Sequence, residues 1–254
     1  MNLSKEERVM LSAAKQAGKT LLKHYGRKIK AIEKPNKSLV AKADLEANEI
    51  IIKTIKKNFP SHSILSEETG FEDKKSDYKW VIDPLDGTHN FLHCIGIFGT
   101  SIALEYKDEP VLGVMHFPVL GMTAVAEKGK GAFLNGKKLK VSGKSSLSHA
   151  FILFEFAFSN RTEKIGFLER LMNKPLDIRD FGSAIYDLLL VASGQADAHV
   201  IYSTYQWDVA AGFLLVREAG GKITNLTNKP WDANKNKFLA SNGKLHAELL
   251  KYVK

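Results

Sequence analysis

The stretch that most constrains this chain is Trp80-Val81-Ile82-Asp83-Pro84-Leu85-Asp86-Gly87-Thr88, where an apolar run ends abruptly in two carboxylates. Lys79–Ile82 reads as a short buried strand, because aromatic and aliphatic side chains follow one another there without a helical period. A carboxylate at the end of such a core strand is costly unless something neutralises it. Pro84 fixes the direction of the chain, Asp86 comes round on the same turn, and Gly87 permits a tight bend. Gly87-Thr88-His89-Asn90-Phe91 then reads as the start of a helical turn. Free backbone N–H groups there favour a phosphate by geometry and dipole.

Two further acidic elements repeat the pattern. Glu67 and Glu68 follow another strand-like run, Ser63–Ser66, and Asp208 opens a helix within Trp207-Asp208-Val209-Ala210-Ala211-Gly212. Taken singly, each has an ordinary explanation: a polar Asp-x-x-Asp-Gly turn, a solvated Glu-Glu pair, a helix N-cap. Together they put carboxylates from separated segments at the ends of apolar runs. Hard oxygen ligands at that density suit Mg²⁺, which binds few carboxylates and completes its shell with water and phosphate oxygens. Zinc is a poorer match, since no Cys-x-x-Cys pair accompanies them and His89 and His93 read as structural neighbours.

The rest of the chain alternates helix and strand. Residues 4–25 predict an amphipathic helix with Ser4 and Glu7 at capping-box spacing and Gly26 as its stop. A lysine-rich loop to about Val40 follows, then a helix capped by Asp44 and ended by Pro60. From Gly96 to Val141 the pattern is β-rich, broken at Lys107–Pro110, at Pro118–Gly121 and at the Asn135-Gly136 hairpin signal. Further on, strands are expected at Phe151–Phe156, Ala198–Ile201 and near Ile223. Helices are expected at Arg161–Asn173, Ser183–Ala192, Asp208–Glu218 and from about Lys244. Helices and sheets interleave, so the class is mixed α and β.

Composition narrows the function classes. With 254 residues, 44% hydrophobic and 26% charged, the chain can build its own core without disulfides. Cys94 is the sole cysteine, which fits a reducing cytosol. No leader-like or membrane-spanning apolar run is read, so a cytoplasmic protein with no membrane partner is expected. The net charge of +9 raises nucleic acid as a partner, yet only six of the 37 basic residues are arginines. The lysines read as a solvated surface that adds some steering for an anionic substrate.

The quoted segments resemble the inositol monophosphatase family, within the lithium-sensitive, metal-dependent phosphatases. They are Ser66-Glu67-Glu68, Trp80 to Phe91, Trp207 to Gly212 and Glu218-Ala219-Gly220-Gly221, with Arg179 to Ala184 and Val191 to Asp197 between them. The resemblance runs in order along essentially the whole chain. It implies an α+β fold, a layered αβαβα sandwich of the sugar-phosphatase type, as one domain over 1–254 with packed halves 1–145 and 146–254. It further implies two or three Mg²⁺ ions: Glu67, Asp83 and the Leu85 carbonyl at the first, and Asp83, Asp86 and Asp208 at the second. Thr88 would orient the attacking water with Glu67, and Asp44 would orient Thr88. Asp86, Gly87, Thr88, Gly182, Ser183, Ala184, position 201 and Asp208 would meet the substrate, a small phosphorylated metabolite. A homodimer is implied, and some bacterial members are implicated in RNA polymerase-associated complexes, so RNA or polymerase factors are a candidate partner.

One position departs from the family. Members that handle inositol phosphates usually carry a glutamate seven residues before the helix aspartate, where this chain has Ile201. An isoleucine cannot accept a hydroxyl hydrogen bond. Three substrate readings therefore stand: a polyol or sugar phosphate, histidinol phosphate, or a nucleotide 3′-phosphate such as phosphoadenosine phosphate. The short Gly70–Tyr78 stretch speaks against an elaborated nucleotide pocket.

Overall fold

Ser4 starts the first helix as its spacing predicts, its hydroxyl accepting from the Glu7 N–H at 3.0 Å. The computed structural model describes residues 4–27, 32–33, 39–40, 42–156, 161–231 and 236–253. In chain order it contains α1 (Lys5–His24), β1 (Ile32–Glu33), β2 (Leu39–Val40), α2 (Lys42–Asn58), β3 (Ser63–Ser66), β4 (Gly70–Glu72), β5 (Tyr78–Asp86) and α3 (Thr88–Leu92). Then come β6 (Gly99–Tyr106), β7 (Glu109–Phe117), β8 (Met122–Glu127), β9 (Gly131–Leu134), β10 (Lys137–Lys138), β11 (Phe151–Phe154) and α4 (Arg161–Leu171). Last are β12 (Asp177–Arg179), α5 (Ala184–Ala192), β13 (Ala198–Ile201), α6 (Gln206–Glu218), β14 (Lys222–Thr224), β15 (Phe238–Ser241) and α7 (His246–Leu249).

An eight-stranded mixed sheet, in the order β10-β9-β8-β7-β6-β5-β3-β4, forms the first layer of strands. Only β3 and β5 pair in parallel within it. Alternation along β5 sends Trp80 and Ile82 to one face, where they meet Met10, Leu21, Ile51 and Ile55 of α1 and α2. Val81 points to the other face, with Leu188, Val209 and Leu214 of α5 and α6. The second sheet, β12-β11-β13-β15-β14, takes the far side of α5 and α6 through Leu153, Ile201, Phe238 and Ala240. Its outer face packs Ile152, Phe154, Val200 and Leu239 against Phe167 and Leu171 of α4 and Leu249 of α7. The layers therefore run α1/α2, sheet, α5/α6, sheet, α4/α7, the αβαβα sandwich expected. Buried helices in the middle layer must be apolar all round, and α5, Ala-Ile-Tyr-Asp-Leu-Leu-Leu-Val-Ala, is nearly so.

Several local expectations are corrected. Asp83 and Asp86 do not lie in a turn after the strand; both belong to β5, which runs on past Ile82 with a register shift between them. That irregularity is what Pro84 forces, because it has no N–H for the ladder. Asp44 is not a helix cap but sits in the first turn of α2, fully buried. Asp208 is likewise the third residue of α6 rather than its cap, and it accepts the N–H of Tyr205 at 2.8 Å. Cys94, the sole cysteine, is exposed. Strands β4, β12 and β15 went unread, and β15 is paired on both sides, by β13 and β14. Most of the lysine-rich loop before Val40 lies outside the described residues. Among the described residues no helix is long and apolar enough to cross a membrane.

Candidate active site

Three chain segments deliver carboxylates to one cavity of about 450 Å³ that residues of both sheets and of α5 and α6 line. Glu67 comes from the end of β3, Asp83 and Asp86 from the end of β5, and Asp208 from the first turn of α6. Parallel pairing of β3 with β5 explains part of this: both strands finish at the same edge, and the Glu67 N–H donates to the Ile82 carbonyl at 3.1 Å. Gly87 then turns the chain into α3 with φ +80°, and a Cβ there would stand 2.8 Å from the Ile97 carbonyl. Asn90 of α3 donates to the carbonyls of Ile97 at 2.8 Å and Phe181 at 2.7 Å, which ties the Phe181–Ala184 loop to this corner. Gly182, at φ +66°, lets that loop pass close to the Asn90 side chain.

The carboxylates are held by neutral donors. Asp86 accepts from the Ser183 hydroxyl and from the Ala184 N–H at 3.1 Å. Asp208 accepts from the Thr204 hydroxyl at 2.9 Å, and one Asp83 oxygen accepts from the Leu85 N–H at 3.0 Å. Among the described residues, neither lysine nor arginine lines the cavity. Burial therefore dominates the acidities. Burial, then the charges of Glu67, Asp86, Asp208 and Asp44, pushes Asp83 well above the usual carboxylate range. Burial pushes Asp86 up to about 7, against the lowering effect of the Ser183 hydrogen bond. Asp208 rises to about 7 for the same first reason, with Thr204 and Tyr205 opposing.

Acidic oxygens crowded together without a cation, plus the Leu85 carbonyl, make a hard donor set that fits Mg²⁺. Among the described residues, no three acidic, imidazole or thiol groups already stand close enough to grip a single ion. The set is gathered in one cavity without being drawn to a point. Thr88 directs its hydroxyl at the Leu85 carbonyl, 3.1 Å away.

Of the residues singled out from sequence, Glu67, Asp83, Leu85, Asp86, Gly87, Thr88, Gly182, Ser183, Ala184, Ile201 and Asp208 all line this cavity. Asp44 does not, although its charge reaches Asp83. Sequence reasoning missed Asp187 and His199 and assigned no role to Glu155 or Asp180, all of which also line it. The signal for two of them was present: Asp187 is the one charged residue in the apolar α5, and His199 the one polar residue in the buried β13.

Comparison with known proteins decides the family. The inositol monophosphatase family model matches residues 2–254. The chain belongs to the inositol monophosphatase family. Members of this family are phosphoric monoester hydrolases and are generally metal-dependent, in keeping with the acidic cavity. A Thermotoga maritima relative named fructose-1,6-bisphosphatase/inositol-1-monophosphatase is 38% identical over 241 residues, covering 94% of this chain and 92% of that one. A Pseudomonas aeruginosa relative named Nus factor SuhB is 37% identical over 252 residues, covering 95% and 93%. The crystal structure of the extragenic suppressor protein suhB from Bartonella henselae superposes with a TM-score of 0.95 at 34% identity, over 99% of both chains.

Proposed function

We propose that this family member is a Mg²⁺-dependent phosphomonoesterase acting on a small polyol or sugar phosphate, with water as the nucleophile. The observation that carries this reading is the convergence of Glu67, Asp83, Asp86 and Asp208 on one cavity, with no lysine or arginine lining it among the described residues. Mg²⁺ held by these carboxylates and the Leu85 carbonyl would acidify a bound water and neutralise charge on the phosphoryl and leaving oxygens. Glu67 would accept the proton of the attacking water, and the Thr88 hydroxyl would orient that water. Asp44, buried at the start of α2, is assigned to orient Thr88 on the family resemblance. The backbone at Gly87 and Thr88 and the Ser183–Ala184 turn hold the phosphate and the alcohol. No covalent intermediate is required, and exposed Cys94 takes no part.

Phosphate release should be measured with and without Mg²⁺ on inositol 1-phosphate, fructose 1,6-bisphosphate, histidinol phosphate and phosphoadenosine phosphate. Mg²⁺-dependent turnover that is fastest on the polyol or sugar esters is the expected result, with inhibition by lithium. Fastest turnover on histidinol phosphate or phosphoadenosine phosphate would move the substrate class while leaving the chemistry in place. Release that proceeds equally in excess EDTA would contradict the mechanism. We also expect a cytoplasmic homodimer, which light scattering of the purified protein would check.

A second reading is favoured by the relatives named Nus factor SuhB. A binding role in an RNA polymerase-associated complex would use the lysine-rich surface rather than the cavity. Its mark is a salt-sensitive complex with RNA or polymerase factors that persists in Asp83→Asn. Loss of the complex in that variant would argue against it.

A further inference from the structure

Besides the four carboxylates, the cavity lining contains polar atoms that the described residues do not satisfy. Asp187 of α5 is 2% exposed, and among the described residues its Oδ1 has no hydrogen-bond partner. Its Oδ2 stands 3.5 Å from Nδ1 of His199, a ring that is fully buried and makes no hydrogen bond through either nitrogen. Leu153, the register partner of His199 on β11, brings its backbone near that ring. Glu155, just past β11, has an unbonded Oε2 that faces the Lys164 ammonium at 3.8 Å. Asp180 holds the neighbouring loop in place by accepting the N–H groups of Phe156 at 2.8 Å and Gly182 at 2.7 Å. All of these acidic groups and His199 line the same cavity as the four carboxylates.

Buried polar atoms without partners cost roughly 1–3 kcal/mol each, so a fold that keeps several in one wall has a reason to keep them. Burial pushes Asp187 well above the usual carboxylate range and holds His199 down to about 3, so neither is a fixed charge. Glu155 already has a cation opposite it. The wall is therefore not a receptacle for an ammonium group. A neutral imidazole needs one donor and one acceptor from its surroundings, and a hydroxyl supplies both whereas an ammonium only donates. The period of two along β13 sets His199 on the same face as Ile201, two residues on.

We propose that Asp187, His199 and Glu155 form a hydroxyl-binding wall that reads the alcohol part of a polyhydroxylated phosphate ester, replacing the acceptor lost at Ile201. This rests on the phosphomonoesterase reading above and names which side chains choose its substrate. These residues bind and discriminate; they do not touch the phosphoryl group.

The test compares inositol 1-phosphate, histidinol phosphate and p-nitrophenyl phosphate, which carries no hydroxyl, on wild type, Asp187→Leu, Asp187→Asn and His199→Leu. Thermal midpoints establish which variants fold, and Glu155→Gln replaces any that does not. In Asp187→Leu and His199→Leu the ratio of kcat/KM for inositol 1-phosphate to that for p-nitrophenyl phosphate should fall about 10- to 100-fold, mainly through KM. Asp187→Asn, which keeps an acceptor, should recover most of it. An unchanged ratio in a folded variant overturns the inference. So does a fall on histidinol phosphate that exceeds the fall on the polyol. Wild type that hydrolyses p-nitrophenyl phosphate without preferring the polyol also overturns it, while leaving the phosphatase reading intact. Wild type that hydrolyses no ester overturns the phosphatase reading itself.

Discussion

Removing the ion from this site should make the protein's stability depend steeply on pH, in a direction the acidities fix. Asp86 and Asp208 are pushed from 3.8 up to about 7, chiefly by burial. Between those values the folded state holds protons that the unfolded chain has shed, so stability falls as pH rises. At about 1.4 kcal/mol per pH unit, going from about pH 5.5 to about pH 7 costs roughly 2 kcal/mol for each carboxylate. Asp83 acts in the same direction. His199 and His246 oppose them: burial holds these rings down to about 3 and about 4, and their stabilisation is lost as pH drops below their ordinary range near 6.5. The useful quantity is therefore the difference between Mg²⁺-loaded and metal-free protein, in which the histidines cancel. Bound Mg²⁺ displaces the protons, so its stabilisation should be about 4 kcal/mol larger near pH 7.5 than near pH 5.5. For a chain of this size that corresponds to about 10 °C in the Mg²⁺-induced rise of Tm. Calorimetry with excess EDTA or saturating Mg²⁺ at the two pH values measures it. A rise that is equal at both, or larger in acid, would refute the reasoning.

Two single substitutions separate positioning from ion binding. Thr88→Ala removes the hydroxyl proposed to orient the water, and kcat should fall about 10²- to 10⁴-fold with the Mg²⁺ titration midpoint unmoved and Thr88→Ser largely restoring the rate. Ser183→Ala deletes a donor that lowers the Asp86 pKa, so Asp86 should hold its proton more tightly. Half-saturation by Mg²⁺ near neutral pH should then shift upward by about tenfold, as read by activity and by thermal shift; an unmoved midpoint would show that this hydrogen bond does not tune the site.

Much of the site was legible because metal chemistry leaves local marks. An apolar run such as Trp80–Ile82 that ends in carboxylates is visible without any tertiary information, and so is a helix that opens on Trp207-Asp208. The hairpin at Asn135-Gly136 was equally plain, and both residues adopt positive φ. What failed was finer or longer in range. Asp83 and Asp86 stay within the strand because β6 continues to pair beyond the irregularity at Pro84, with Asp83 opposite Ser101 and Asp86 opposite Gly99. β15 was missed because Phe238–Ser241 is short and its strand character comes from the two neighbours that flank it. Asp187 and His199 read as lone polar residues in apolar segments. Only the packing of α5 against β13 shows that they stand together in one wall of the cavity rather than each sitting alone in the core.

The account's central claim is that the carboxylates of β3, β5 and α6 act together through a divalent ion. The most direct measurement is phosphate release from inositol 1-phosphate as Mg²⁺ is titrated, for wild type beside Asp83→Asn, with both shown to be folded. The account predicts Mg²⁺-dependent turnover in wild type and a loss of about three orders of magnitude or more in Asp83→Asn, not rescued by excess Mg²⁺. Comparable turnover in the two proteins would contradict it.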